Sequence, residues 1–286
     1  MYKLDLLPKD ILIKLSIELD LPSIFEFITL NKRLNEIICK NDIFWMNKFH
    51  HDYSNYPKVS DLTWVEFYKY VTVTEPNYLL WKGVEENVLS YVVIGLKLGA
   101  DIQSRKEIEH GTYLFPLSVS SEYGYLEIVK YLVEQGAMIR YEHDYAFKAS
   151  SRNGHLEVVK YLLEQGANVR SDYNLSFLSA SGNGHLEVVK YLVEQGASVG
   201  FRNNYALRLA SRKGHLEIVK YLVEQGANVR ARDDYALEWA SKNEHLEVVK
   251  YLVGRGADVR VNDNWVLRNA RENEHVEMVN YLESLP

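Results

Sequence analysis

The chain has 286 residues and almost no cysteine, with Cys39 standing alone. A single thiol cannot close an internal disulfide, so stability must come from packing. The expected setting is a reducing compartment, the cytoplasm with the nucleus left open. Long apolar runs are missing too. Stretches such as Tyr91-Val92-Val93-Ile94-Gly95-Leu96 fall far short of the ~20 residues of a membrane span. The opening residues mix Lys3 and Asp5 among apolar ones, unlike a secretory leader. Nor is there an excess of positive charge. A net charge of −6 and a pI of about 5.9 weigh against a nucleic-acid partner, which needs a clustered basic surface. There is no glycine-rich phosphate loop, serine elbow or paired-acid motif. No enzyme, catalytic residue or cofactor is therefore expected. At 47% hydrophobic and 25% charged residues, the composition suits a folded chain rather than a disordered one.

What the sequence does have is repetition. His155, His185, His215, His245 and His275 are spaced thirty apart, and Tyr125 holds the same place one unit earlier. Further back, residues 89–102 match the unit in their apolar positions and in Gly99-Ala100, with a spacing of 37 that places an insertion within 103–114. Within one unit, Leu156, Val159 and Leu163 recur at helical spacing, joined by Val158 and Leu162, while Glu157, Lys160 and Glu164 fall outside the stripe. Gly166 is placed to end this helix. A shorter helix precedes it, with Asn204 as an expected cap and Asp144, Asn174, Asp234 and Asn264 in the same slot. Gly154, Gly184 and Gly214 close that first helix. Where Glu244 and Glu274 replace glycine, Asn243 or Asn273 is expected to take the left-handed conformation. Two helices cannot bury so much apolar surface alone, so neighbouring units must stack into a solenoid.

The repeated His-x-Glu invites a metal reading, and helix spacing argues against it. Stacked helices sit about 8–10 Å apart, whereas ligands of one zinc each lie within about 2 Å of it. The equivalent histidines are instead expected to hydrogen-bond across the loop, with no metal site. His50-His51-Asp52 is no better, because adjacent residues do not share a helical face. Cys39 reads as a small buried residue rather than a nucleophile.

The run Gly154-His155-Leu156-Glu157-Val158-Val159-Lys160-Tyr161-Leu162-Leu163-Glu164-Gln165-Gly166-Ala167 resembles the ankyrin repeat, over roughly residues 77–286. The family's Thr-Pro-Leu-His hallmark is mostly absent, although Phe115-Pro116-Leu117-Ser118 approaches it. The period is about three residues short of the usual ~33, which puts the family's β-hairpin finger in doubt. Shortened units of this kind look like those of ankyrin proteins from giant DNA viruses of amoebae. The resemblance implies a concave protein-binding surface made from the first helices and loop tips, where the units differ most. Loop-tip candidates are Tyr141, His143, Tyr173, Phe201, Arg202 and Arg232. Leu178, Arg208 and Trp239 are the first-helix candidates. Such residue types often anchor interfaces.

The first fifty residues carry a second message. Between residues 7 and 49, 22 of 43 are Ile, Leu, Phe, Trp, Met or Cys, more than so small a unit buries alone. Pro8 and Asp10 suit a helix start. Ile11, Leu12, Leu15 and Leu19 share one face, Ile13 and Ile17 another. Leu7-Pro8, Asp10-Ile11-Leu12, Leu15, Leu19, Asp20-Leu21, Lys32-Arg33, Trp45 and the later Trp64 resemble an F-box. Leu34 departs from the family pattern, in which a tryptophan is common. The resemblance implies docking on the Skp linker of a cullin–RING ubiquitin ligase through Leu7, Pro8, Ile11, Leu12, Leu15, Leu19 and Trp45. The alternative is a hydrophobic cap on the first, degenerate repeat. The expected architecture is all-α: an F-box-like module over 1–50, a linker with one helix over 51–76, and an ankyrin array over 77–286. That array holds about seven units, the last truncated as a cap. The expected partners are a Skp-type protein and a protein target, with neither membrane nor nucleic acid.

Overall fold

The structure, a computed structural model, describes residues 42–53, 63, 74–107 and 113–285, with the side chains of 42, 43, 49, 50, 53 and 171–173 outside that description. The sequence readings at Leu7, Pro8, Ile11, Leu12, Leu15, Leu19, Cys39 and Trp64 lie outside the described residues. The chain divides into two compact units, Met1–Pro116 and Leu117–Pro286. The fold is all-α, with fifteen helices and one small hairpin among the described residues.

In the first unit, α1 (Asp42–Tyr53) precedes the helix pair α2 (Pro76–Glu86) and α3 (Leu89–Lys97). The pair is the degenerate repeat. Leu79, Leu80 and Val84 on one helix and Val92 and Ile94 on the other are sealed from solvent. Helix α1 lies against α3, and Lys97 Nζ donates to the Asp52 carbonyl at 3.4 Å. The insertion expected within 103–114 contains β1 (Lys106–Glu107) paired antiparallel with β2 (Tyr113–Leu114). The longer spacing therefore accommodates a hairpin finger.

The second unit stacks six helix pairs: α4 (Pro116–Glu122) with α5 (Leu126–Glu134), α6 (Tyr141–Arg152) with α7 (Leu156–Glu164), α8 (Ser171–Asn183) with α9 (Leu186–Glu194), α10 (Phe201–Lys213) with α11 (Leu216–Glu224), α12 (Ala231–Lys242) with α13 (Leu246–Gly254), and α14 (Val261–Glu272) with α15 (Val276–Glu283). Each first helix packs on the first helices beside it from α6 onward, and the second helices do likewise from α5 to α13. On α7 the fully buried stripe is Val158, Val159 and Leu162. Leu156 and Leu163, expected in that stripe, are only half-buried. Each fully buried aliphatic side chain contributes roughly 1.5–3 kcal/mol, and thirty-residue repetition multiplies that through the stack.

Between one second helix and the next first helix the chain makes a turn with no finger. Glu142, His143 and Asp144 all have positive φ, as do Arg202-Asn203-Asn204, Arg232-Asp233-Asp234 and Asn262-Asp263-Asn264. Left-handed backbone costs roughly 1–2 kcal/mol per ordinary residue, and Asn and Asp tolerate it best. That explains the Asn and Asp at eight of these twelve positions, while Glu142, His143, Arg202 and Arg232 take the conformation at full cost. The last residue of each turn was expected to cap its own helix. Its oxygen goes elsewhere. Asn168 N–H donates to Asp144 Oδ1 at 3.3 Å, Asn228 N–H to Asn204 Oδ1 at 3.0 Å and Asp258 N–H to Asp234 Oδ1 at 3.1 Å. The first repeat has the same link, Asp101 N–H to Asn77 Oδ1 at 2.8 Å. Asn174 is the exception: Ser198 stands in the donor's place, and the buried Asn174 Oδ1 has no partner. A second expectation also fails. Glu244 (φ 61°) and Glu274 (φ 57°) themselves take the left-handed conformation, whereas Asn243 and Asn273 have φ near −100°.

Asn204→Ala and Asn264→Ala impose the same backbone strain, because both positions have φ near 58°. Only Asn204 is buried and bonded to a distant amide. Asn204→Ala should therefore cost about 1–3 kcal/mol more than Asn264→Ala in urea unfolding. Equal losses would refute the role assigned to the bond.

Candidate protein-interaction face

The repeated histidine is structural mortar between repeats. A carbonyl only accepts, so each ring Nε2–H must donate. His155 donates to the Glu122 carbonyl at 2.8 Å and His185 to Arg152 at 2.8 Å. His215 donates to Gly182 at 3.1 Å and His245 to Arg212 at 3.0 Å. The bond reaches the preceding repeat rather than crossing only its own loop. The glycine that closes the first helix makes room for it: a Cβ on Gly154 would lie 2.4 Å from His185 Nδ1. Where Glu244 replaces that glycine, His275 loses the carbonyl bond. Its Nε2 lies 3.9 Å from Glu244 Oε2 and its Nδ1 is buried without a partner. Burial pushes the His215 imidazole below its ordinary value of 6.5, against the opposing bond to Gly182. Among the described residues, no group of three or more metal-ligating side chains converges.

The faces left over are those of the first helices and their turns. Tyr141 (43% exposed) and His143 are exposed on the first left-handed turn, beside a shallow depression that also takes in Met138. The Tyr173 side chain lies outside the described residues. Phe201 is half-buried, and the Arg202 guanidinium lies over its ring at 5.4 Å. Arg232 is exposed. Trp239 is half-buried, 5.0 Å from Tyr235 and 6.5 Å from Tyr205, ring to ring. Leu178 is a correction: at 2% exposure it belongs to the core, because its side chain turns between helices, and it offers a partner nothing. Trp45 is corrected likewise. It is fully buried, edge-on to Phe44 at 5.2 Å and 82°, so its indole is part of the first unit's own packing.

Arg208 is also enclosed, at 4% exposure. Its guanidinium lies 4.7 Å from the Tyr205 ring centre, 5.7 Å from Tyr235 and 5.9 Å from Trp239. One amine donates to the Arg202 carbonyl at 3.0 Å, which ties the helix to its left-handed turn. Burial, and then the neighbouring charge of Arg232, lower its proton affinity. Three members of this cluster went unnoticed in the sequence: Tyr205, Tyr235 and Arg212, whose guanidinium lies 5.2 Å from the Trp239 ring centre. Their signal was available as an aromatic row on a thirty-residue period, Tyr145, Tyr205, Tyr235 and Trp265, broken by Leu175.

Thirty-residue helix pairs, tight turns and a variable inner face define a repeat protein of the interaction class. A family model for ankyrin repeats, in the form of three copies, matches residues 82–173 and 176–263. That is more than half of the chain, and the chain belongs to the ankyrin-repeat family. No curated protein matches it. Ankyrin repeats are protein-interaction modules and typically non-catalytic, so the chain is a protein-interaction scaffold. No described helix is long and apolar enough to cross a membrane.

Lowering the pH should destabilise the fold through His215. Its folded pKa is below the unfolded value of 6.5, so the unfolded chain binds more protons in that window. This contribution is complete above about 6.5 and lost as pH falls through the unfolded and then the folded value. His215→Gln should flatten the fall in urea midpoint between about pH 7.5 and 5.5. A parallel curve for the variant would contradict it.

Proposed function

We propose that the protein is a non-catalytic adaptor. Its ankyrin face holds a protein target, and its N-terminal segment docks on a Skp-type linker of a cullin–RING ubiquitin ligase. The observation behind target binding is the division of labour within the repeats. Second helices and their histidines are spent on stitching and vary little, whereas the exposed turn residues Glu142-His143, Arg202-Asn203, Arg232-Asp233 and Asn262-Asp263, and the half-buried first-helix positions Ser179, Leu209, Trp239 and Asn269, change from unit to unit. Exposed Tyr141, His143, Arg202 and Arg232, with half-buried Phe201 and Trp239, are the side chains proposed to meet the target. Docking on Skp rests on the F-box resemblance and on the apolar density of residues 7–49. The proposed contacts are Leu7, Pro8, Ile11, Leu12, Leu15 and Leu19, without Trp45. The likeness to giant-virus repeats extends the proposal: linker and target would be host proteins, met in the host cytoplasm.

A second reading has its own support. Helix α1 lies on α3 with Trp45 sealed inside, as a hydrophobic cap on the first repeat would, and a scaffold needs no ligase. A pull-down with purified, immobilised Skp separates the two. The adaptor predicts retention of the wild type and loss on Leu7→Ala/Pro8→Ala, with unchanged circular dichroism and unfolding midpoint. Failure of the wild type to bind leaves only the scaffold.

A further inference from the structure

The charges of the repeat unit are segregated. Across the first-helix segments 145–152, 175–182, 205–212, 235–242 and 265–272 there are seven Lys and Arg against two Glu. The following helices, 156–164, 186–194, 216–224, 246–254 and 276–283, carry nine Glu against four Lys. Beyond the acidic left-handed turns, these first-helix segments are therefore net positive and the second helices net negative, in a chain of net charge −6. The lysines of the second helices are already engaged: Lys160, Lys190, Lys220 and Lys250 each pair with the glutamate three residues before, at 2.7–2.9 Å. Arg208, Arg212, Arg232 and Lys242, by contrast, make no ion pair among the described residues. The nearby acid, Glu238, is turned toward the next repeat, where its Oε1 accepts from Asn262 Nδ2 at 2.6 Å.

Arg208 makes this more than a solvated basic stripe. It is a buried cation whose Nε has no hydrogen-bond partner. Its surroundings are three aromatic rings and one carbonyl. Cation–π contact recovers only part of what burying an unpaired charge costs. A positive charge fixed in a low-dielectric setting attracts an anion lying over it more strongly than a solvated one does. Trp239 and Arg212 roof the cluster, and Arg232 flanks it, over the Tyr235 ring at 5.9 Å.

We infer that the face around Trp239 takes an extended acidic segment of the target protein, its carboxylates meeting Arg212, Lys242 and Arg232 above the buried Arg208. This rests on the protein-binding reading of the repeats and names the chemistry of the partner. Arg212 and Lys242 occupy the same position in adjacent repeats, and adjacent packed helices lie about 8–10 Å apart. An extended chain covers that distance in about three residues. The preferred segment thus carries Asp or Glu at every third position.

The probe is a fluorescein-labelled peptide of about ten residues with glutamate at every third position and glycine and serine between, followed by anisotropy at low salt with the full chain. Saturable binding is expected, weakening as salt is added. Charge reversal at two exposed sites, Arg212→Glu/Lys242→Glu, should lower affinity at least about tenfold at an unchanged unfolding midpoint. Arg208→Met should also weaken binding, and the exposed pair keeps the test decisive if that variant does not fold. No binding by the wild type, or binding undiminished by the double variant, would overturn the inference. So would equal or tighter binding of a single-stranded oligonucleotide of the same charge, which would mark a general polyanion surface. A co-purified target that the double variant retains in full would sink this inference alone, leaving the protein-binding reading intact.

Discussion

A side-chain oxygen that reaches an amide 24 residues further along the chain underlies the rest of this structure. Asp144, Asn204 and Asp234 each make that bond, and each is buried at the end of a turn of three left-handed residues. The bond offsets part of the strain of such a turn, which the last repeat bears without it at Asn262-Asp263-Asn264. The bond makes the turn cooperative with the end of the following helix pair, where the receiving residue folds its own loop. Asn168, Asn228 and Asp258 each accept from the amide two residues on at 2.9 Å. In these units the left-handed turn takes the place of the hairpin finger that the first repeat carries, in keeping with their thirty-residue period.

The same economy decides which residues are free. His155, His185, His215 and His245 are committed to carbonyls of the preceding repeat, and their glycine neighbours are held to a missing Cβ. Second helices supply the aliphatic seam and self-paired surface charges. Variation is left to the first helices, where the basic and aromatic side chains collect. The face available for recognition is thus what remains after stitching.

Much of the fold was legible because a period of thirty repeats its own evidence. Helix pairs, the bounds of Leu156–Glu164 and the glycine stop all follow from one unit compared with the next. The left-handed turns were not legible as such. Asn203-Asn204 and Asp233-Asp234 read equally well as helix caps, and sequence cannot show that the oxygen bonds an amide 24 residues away. Of the site, Arg202, Arg232, Tyr141 and His143 were placed on the surface as their loop positions implied. Leu178 shares a column with Lys148 and Glu238, so column variation suggested a surface, yet in its own repeat the apolar side chain turns inward. Trp45 was misplaced for a related reason, since an apolar residue reads the same whether its contacts come from its own chain or a partner.

Native-state hydrogen exchange at three equivalent amides tests the account most directly. Asn228 and Asp258 donate to buried side-chain oxygens, whereas Ser198 faces an Asn174 Oδ1 left without a partner. If the long-range bond holds each turn, Asn228 and Asp258 should exchange at least about tenfold more slowly than Ser198. Equal rates at all three would mean that the bond stabilises nothing and that the turns are held by some other force.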